Sequence, residues 1–317
     1  MDVVYRIADT VIAVRSIHPL IHEMCKDYRV EAVPDLYVSM EQADIDFERQ
    51  RSAREDAAEG IPVREFPDDY LETLAVYRKI AEWMPTQDTI LFHGSCIAVD
   101  GEGYLFTAKS GTGKSTHTRL WRQLFGDRAV MVNDDKPLIR AESLGGNSGR
   151  AVVYGTPWDG KHRLSSNTSV PLKGLCILER AEENVIRRIT KEEALPMLVQ
   201  QTYRPADPSA MVKTMELIDR LSGDTLLYRM GCNMDISAAE MAYIPITLVM
   251  MITTNSAAVV SISSIAGFRQ NMYGIRNAAI ASLEAFSAVR IGSDFAIADP
   301  AYAASATGGV MSATIPK

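Results

Sequence analysis

Apolar and polar positions alternate in short segments along residues 1–88, and this pattern predicts a small α+β region. Segment 3–17 has the apolar character of one or two strands, and segment 35–40 predicts a further strand. The intervening segment 18–28 predicts a helix. Segment 42–58 is polar and strongly charged, so its pattern suits an exposed helix and equally a loop.

A clearer helical pattern follows Pro67, because Asp68 and Asp69 are residues that favour the start of a helix. Apolar residues then recur at helical spacing to about residue 83. The predicted buried face consists of Leu71, Leu74, Tyr77, Ile80 and Ala81.

A second region, 89–243, mixes hairpin and helical signals. A strand at 90–99, the turn residues Asp100 and Gly101, and a returning strand at 104–107 predict a β-hairpin. Further strands are predicted at 129–133, 137–141, 151–154, 172–179 and 226–230, with helices at 115–125, 191–201, 208–221 and 236–243. Hairpins combined with helices indicate an α/β domain with a mixed sheet.

A third region, 244–317, is a tail of atypically low charge, with seven charged residues among 74. Segment 241–268 carries no charge and is long enough to span a bilayer. Pro245 and many Ser and Thr residues lower the hydrophobicity of this segment. A membrane helix and an abnormal tail without regular structure are therefore both possible interpretations.

Composition narrows the classes of function. The net charge of −7 gives no basic surface for a nucleic-acid partner. The N-terminus lacks the basic start and apolar run of a signal peptide. The four cysteines show no metal-binding spacing, and they predict reduced, buried thiols in a cytoplasmic protein. They are Cys25, Cys96, Cys176 and Cys232.

A glycine-rich loop carries the strongest chemical signal. It consists of Ser110, Gly111, Thr112, Gly113, Lys114, Ser115 and Thr116. Glycines let successive backbone N–H groups turn toward phosphate oxygens, Lys114 offsets the β/γ-phosphate charge, and Ser115 suits Mg²⁺. Ala108 replaces the first glycine of the usual Walker A pattern, but a strand before the loop and a helix after it fit phosphate binding. The alternative is a glycine-rich turn that caps a structural helix.

Acidic and cationic residues near this loop extend the prediction. Asp134 and Asp135 follow an apolar strand, where one carboxylate could hold Mg²⁺ and the other accept a proton, unless they only form an Asx turn. His93 is a strand histidine with a structural or a catalytic role. Lys161 and Arg163 lie in a predicted loop, where they would contact the transferred phosphoryl group or belong to a solvated surface turn.

The order of His93-Gly94, the loop Ser110–Ser115 and Asp134-Asp135 resembles the catalytic domain of HPr kinase/phosphorylase. It also resembles the nucleotide site of ATP-dependent phosphoenolpyruvate carboxykinase, which shares that fold. Residues 155–161 together with Cys232-Asn233-Met234 look like HPr-kinase-related bacterial proteins that are not true HPr kinases. The resemblance covers about 89–243, and implies a mixed-sheet, phosphoenolpyruvate carboxykinase-like P-loop domain after a small N-terminal region.

This resemblance implies ATP and Mg²⁺ as cofactors. Residues 110–116 would bind the phosphates, and Ser115 and Asp134 would hold the metal. Asp135 would transfer the proton, and His93 would match an active-site histidine of the family. The implied activity is a kinase that phosphorylates a hydroxyl of a protein, peptide or small molecule. The resemblance reaches neither the phosphorylase segment nor a later metal-binding glutamate, so phosphorolysis and HPr as acceptor do not follow. A non-catalytic nucleotide-binding regulatory module is the alternative, and a carboxykinase is a more remote one.

Overall fold

The N-terminal segment folds as a β-hairpin because its apolar positions alternate around a tight turn. In the computed structural model, which describes residues 2–58, 60–141, 150–160 and 162–254, β1 (Val3–Ile7) pairs antiparallel with β2 (Thr10–Arg15). Ala8 and Asp9 turn the chain with φ of 51° and 60°. Strand β3 (Leu36–Ser39) adds to β2 in parallel and completes a three-stranded sheet.

Three helices accompany this sheet: α1 (Leu20–Met24), α2 (Gln42–Ala58) and α3 (Asp68–Trp83), with a 3₁₀ turn at Lys26–Tyr28. The predicted helix at 18–28 is therefore a short helix and a turn, and the charged segment 42–58 is a helix. Helix α2 is not exposed all round, because Glu48 is buried and its carboxylate pairs with Arg78 of α3 at 2.5 Å.

Helix α3 is buried more broadly than its apolar pattern predicts. Ala75 and Val76 are fully buried, whereas Leu74 and Tyr77 are half-buried. The reason is that α3 is covered on two sides, by the N-terminal sheet and by residues of the large sheet such as Leu138 and Tyr154. A 3₁₀ turn at Met84–Gln87 leads from α3 into that sheet.

Within the described residues, the second sheet has nine strands in the order β4-β8-β9-β10-β6-β5-β7, with β12 pairing with β10 and β11 with β12. The strands are β4 (Thr89–Leu91), β5 (Ser95–Val99), β6 (Glu102–Thr107), β7 (Ala129–Asn133), β8 (Leu138–Arg140), β9 (Val152–Tyr154), β10 (Ser169–Arg180), β11 (Val185–Arg188) and β12 (Leu226–Cys232). Strand β10 runs parallel to β6 and β12, and the other pairs are antiparallel. The predicted α/β class with a mixed sheet is confirmed.

Helices cover both faces of this sheet, because alternate residues of its central strands point in opposite directions. Leu175 and Ile177 of β10 pack with α5 (Lys191–Gln201) and α6 (Pro208–Asp224). Cys176 and Leu178 pack on the other side with α4 (Lys114–Phe125) and α7 (Ser237–Thr254). The sheet is thus the middle layer of this part of the chain.

One predicted element is wrong in a way that matters for the site. The strand expected at 90–99 is broken between β4 and β5, because the backbone N–H groups of Phe92, His93 and Gly94 bond to Pro137, Gln201 and Asp135. The two pieces then join different parts of the sheet. His93 therefore lies in a strand break and not within a hairpin strand. Strand β11 was not predicted, since its residues are mostly exposed and charged.

None of the helices in the described part of the chain has the length and apolar character that a membrane span requires. Residues 255–317 lie outside the described part, and so does most of the low-charge tail and the second half of the uncharged segment 241–268. The described residues all belong to one compact unit. The predicted boundaries at 88/89 and 243/244 stay predictions.

Candidate functional site

The glycine-rich loop lies between β6 and the first turn of α4. Gly111 and Gly113 have φ of 75° and 123°, values that side chains with a Cβ rarely adopt. The loop closes on itself through a hydrogen bond from Thr112 N–H to the Lys109 carbonyl at 3.2 Å. Helix α4 begins at Lys114, so its unpaired N–H groups face the loop. The local geometry is that of an anion site at a helix N-terminus.

Lys114 is buried, and its Nζ donates to the carbonyl of Ala108 at 3.4 Å. Burial lowers the pKa of Lys114 from its ordinary value, while the charges of Asp135 and Asp134 act in the opposite direction. A buried ammonium that is only weakly bonded within the loop has donors to offer an anionic ligand. Ser110 and Ser115 are exposed, and Thr116 is half-buried.

Helix α4 is anchored below the loop by an aromatic cluster. Trp121 Nε1 donates to His117 Nε2 at 3.1 Å, and the His117 ring lies edge-on to Phe106 of β6. Burial lowers the pKa of His117 to about 3, so the imidazole is neutral and can accept this bond. The first turn of the helix is therefore held against the strand that feeds the loop.

Asp134 is connected to the same helix by hydroxyl groups. Its Oδ1 accepts from Ser95 Oγ at 2.8 Å, and Ser95 Oγ lies 3.1 Å from Thr118 Oγ1 of α4. Its Oδ2 faces Gly160, where an added Cβ would come within 2.9 Å. Asp134 is thus fixed beside the helix turn that carries Ser115.

Asp135 lies next to His93, a contact that the sequence did not predict. The His93 Nε2 atom is 3.2 Å from Asp135 Oδ1, and Lys136 Nζ is 3.8 Å from the same oxygen. Burial raises the pKa of Asp135, but the His93 hydrogen bond and the charges of Lys136 and Lys114 outweigh it, so the pKa lies below its usual value. The carboxylate is therefore ionised at neutral pH and able to accept a proton.

The backbone after Asp134 is held in a turn by Asn133, the last residue of β7. Its Oδ1 accepts the N–H groups of Asp135 at 2.9 Å and Lys136 at 2.6 Å. Its Nδ2 donates to Thr156 Oγ1 at 3.0 Å. The Asx turn considered as an alternative for Asn133, Asp134 and Asp135 does exist, and Asn133 forms it.

The segment after β9 was expected to supply phosphate-contacting cations. Lys161 lies outside the described residues, and Arg163 is exposed with φ of 46°. Asp159 was not predicted. Its Oδ2 accepts the N–H of Ser165 at 2.8 Å, while its buried Oδ1 has no hydrogen-bond partner among the described residues. Burial, followed by the charges of Asp134 and Asp135, raises the pKa of Asp159.

Arg180 is a second residue that sequence reasoning missed. It ends β10, and its guanidinium donates to the carbonyls of Gly111 at 2.5 Å and Thr112 at 3.4 Å. Neither Arg180 nor Lys136 belongs to a motif, and only the parallel pairing of β10 with β6 brings Arg180 to the loop.

The predicted metal ligands fit the chemistry of Mg²⁺, although no cluster of three or more His, Cys, Asp or Glu side chains in the described chain is arranged as a metal site. Mg²⁺ takes oxygen ligands, commonly one or two from the protein and the rest from phosphates and water. Asp134 and the Ser115 hydroxyl are such donors, and the unpartnered Asp159 Oδ1 adds buried acceptor capacity beside them.

A family model described as "SynChlorMet cassette protein ScmC" matches residues 70–216, somewhat less than half of the chain. The matched part contains the loop, His93 and both aspartates. No curated protein matches. A solved structure titled "Structure of the Hpr(Ser) kinase/phosphatase from Coxiella burnetii" is similar to 53% of this chain and 99% of its own, with 11% identity and a TM-score of 0.26. A score this low establishes neither a shared fold nor a shared activity.

Proposed function

We propose that this protein is an ATP- and Mg²⁺-dependent phosphotransferase with the phosphoenolpyruvate carboxykinase-like P-loop fold, related to HPr kinases. The single observation that carries the proposal is the convergence of Lys114, Asp134 and the Asp135–His93 pair at one end of the large sheet. A loop that only capped a helix would have no need of an ionised, half-buried carboxylate beside it.

The nucleotide phosphates would lie on the N–H groups of loop 110–116, with Lys114 at the β- and γ-phosphates. Ser115 and Asp134 would hold Mg²⁺, which when bound offsets the charge of the phosphate oxygens. Ser95 and Gly160 fix Asp134 from two sides, so that the carboxylate is already in place before the nucleotide binds.

Asp135 would act as the general base. It accepts the proton of the acceptor hydroxyl while the hydroxyl oxygen bonds to the γ-phosphorus, and the bond from that phosphorus to the bridging oxygen of ADP breaks. His93 holds the carboxylate in position and keeps it ionised. Its own backbone is fixed by bonds from its N–H to Gln201 at 2.7 Å and from Thr107 Oγ1 to its carbonyl at 2.9 Å.

The acceptor is a hydroxyl of a protein, peptide or small molecule. The likeness to the ScmC family model supports a relationship to that family over 70–216. The printed description names a cassette and no reaction, so the proposed chemistry depends on the site alone. A cytoplasmic location remains an expectation from the sequence.

Incubation of the full-length protein with Mg²⁺, γ-labelled ATP and an extract of the producing cells tests this function. Wild type is expected to transfer label, and EDTA or Lys114→Ala to abolish transfer, with Lys114→Ala also losing ATP binding. Lys213→Ala is the control, since Lys213 forms an exposed ion pair with Asp88 at 3.0 Å, remote in sequence from the loop. Tight ATP binding by wild type without any transfer would instead support the non-catalytic module.

A further inference from the structure

Lys136 follows Asp135 directly, and its backbone is fixed on both sides. Its N–H donates to Asn133 Oδ1 at 2.6 Å, and its carbonyl accepts from Thr156 Oγ1 at 2.8 Å. The side chain therefore leaves the turn in a direction set by buried polar residues. A surface lysine would not require this restraint.

The ammonium group of Lys136 lies beside the proposed base. Its Nζ is 3.8 Å from Asp135 Oδ1, and the side chain is 29% exposed. In the described part of the chain, no oxygen or nitrogen accepts a hydrogen bond from this Nζ, so its three N–H donors are available. Asp135 itself is shared with His93 and influenced by Lys114.

Lys136 also connects the loop side of the site with the N-terminal helices. Burial lowers the pKa of Lys136, the charge of Asp135 raises it, and Arg51 and Glu55 of α2 act in opposite directions. Its charge in turn depresses the pKa of Lys114. Lys114 and Lys136 both interact electrostatically with Asp135, so an anion bound beside that carboxylate would be attracted by both ammonium groups.

In the proposed reaction, the transferred phosphoryl group is an anion that moves from the nucleotide at Lys114 to the hydroxyl at Asp135. Its equatorial oxygens carry charge that a nearby cation stabilises. Lys161 and Arg163 were expected to provide this cation, but Arg163 is exposed and Lys161 lies outside the described residues. Lys136 has the charge, the free donors and the position beside the base.

We propose that Lys136 is a catalytic residue whose ammonium group donates to an oxygen of the phosphoryl group during transfer. This inference rests on the proposed phosphotransferase function. It assigns Lys136 a contact with the reacting group, in addition to its charge interaction with Asp135.

The test measures the binding of fluorescently labelled ADP with Mg²⁺ to the full chain, with and without aluminium fluoride, which imitates the phosphoryl group in flight. This readout requires no acceptor. Wild type is expected to bind ADP more tightly when aluminium fluoride is present. In Lys136→Met the affinity for ADP alone is expected to stay within about twofold of wild type. The tightening, defined as the ratio of ADP affinities with and without aluminium fluoride, is expected to fall by about 100-fold, the loss typical of one missing donor to transition-state charge.

Lys136→Arg keeps a cation and is expected to retain most of the tightening, which also shows that a change at this position permits folding. Lys213→Met is the matched control. A double-mutant cycle separates direct contact from an effect through Asp135. If Lys136 touches the phosphoryl group, Lys136→Met reduces the tightening in the Asp135→Asn background as well.

Unchanged tightening in Lys136→Met would overturn the role of Lys136 and leave the proposed function intact. Equal weakening of ADP binding with and without aluminium fluoride would overturn it too, as would the absence of any further loss in the Asp135→Asn background. A wild-type protein that binds ADP without tightening would contradict the phosphotransferase proposal and this inference together.

Discussion

Replacement of Gly160 by alanine would displace the carboxylate of Asp134, the proposed metal ligand. A Cβ at this position would lie 2.9 Å from Asp134 Oδ2, closer than any ordinary contact of a side-chain carbon. The other oxygen of Asp134 is held by Ser95 Oγ at 2.8 Å. The carboxylate must therefore move or lose this hydrogen bond. Gly160 does not have a positive φ, so the backbone itself tolerates alanine.

The size of the effect follows from the required displacement. Ordinary contacts begin at 3.4 Å, so the carboxylate has to shift by about 0.5 Å. A misplacement of about 1 Å can cost about 100-fold in rate, and half that shift predicts about a 10-fold loss. Since only Asp134 is displaced, the loss should concern Mg²⁺-dependent steps and not the folding of the loop.

The assay is the Mg²⁺ dependence of phosphoryl transfer, together with the affinity for ATP in EDTA. Gly160→Ala is expected to need more Mg²⁺ and to transfer about 10-fold more slowly, with metal-free ATP affinity unchanged. Gly223→Ala is the control, because a Cβ in that part of α6 meets nothing within 4 Å. Normal Mg²⁺ dependence in Gly160→Ala would refute the assignment of Asp134 as a metal ligand.

Three further changes test other parts of the site. His93→Phe removes a hydrogen bond that lowers the pKa of Asp135, so the pKa of Asp135 is expected to rise. The fall of the transfer rate on acidification should then begin at a higher pH than in wild type. A rate profile whose acidic side does not move would contradict this role of His93. Arg180→Ala removes the hydrogen bonds to two loop carbonyls and is expected to weaken Mg²⁺·ATP binding, measured by calorimetry, roughly 10-fold. Arg187→Ala is the control, because it breaks only an exposed ion pair and should leave this affinity unchanged. Gly94→Ala places a Cβ 3.1 Å from the Phe106 carbonyl oxygen, so the free energy of unfolding, measured in urea, is expected to fall by about 1–3 kcal/mol. A urea midpoint equal to that of wild type would show that the backbone at the strand break shifts to accept the methyl group.

The glycine-rich loop before α4 could be predicted from the sequence because its signal is local. Seven consecutive residues hold two glycines with positive φ, a lysine and a serine hydroxyl. The turn residues Asp100-Gly101 predict the hairpin that precedes the loop. The aspartate pair was predictable for the same reason. Its Asx turn is formed by Asn133, the neighbouring residue.

The strand break at His93 is not evident in the sequence, because the apolar residues at 90–92 and 96–99, on either side of His93, Gly94 and Ser95, predict one continuous strand. Its cause lies in backbone bonds to Asp135, Pro137 and Gln201, which are distant along the chain. Such long-range bonds leave no local signal, and they are what places His93 opposite Asp135.

Arg180, Asp159 and Lys136 were missed for related reasons. Arg180 reaches the loop only because β10 pairs in parallel with β6, a pairing that no local pattern encodes. The position of Asp159 near Asp134 depends on how the loop after β9 folds back. Lys136 follows the aspartates directly in the sequence, but nothing in the sequence shows that its side chain is partly buried. That burial distinguishes it from a surface lysine, and it appears only in the folded chain.

In the proposed reaction, ATP bound at loop 110–116 gives its γ-phosphoryl group to a hydroxyl deprotonated by Asp135. The most direct measurement compares wild type with Asp135→Asn for label transfer from γ-labelled ATP, at matched occupancy by Mg²⁺·ATP. Asp135→Asn is expected to bind Mg²⁺·ATP like wild type and to transfer about 100-fold to 10,000-fold more slowly, the usual range for a lost general base. Transfer at the wild-type rate by Asp135→Asn would contradict the account.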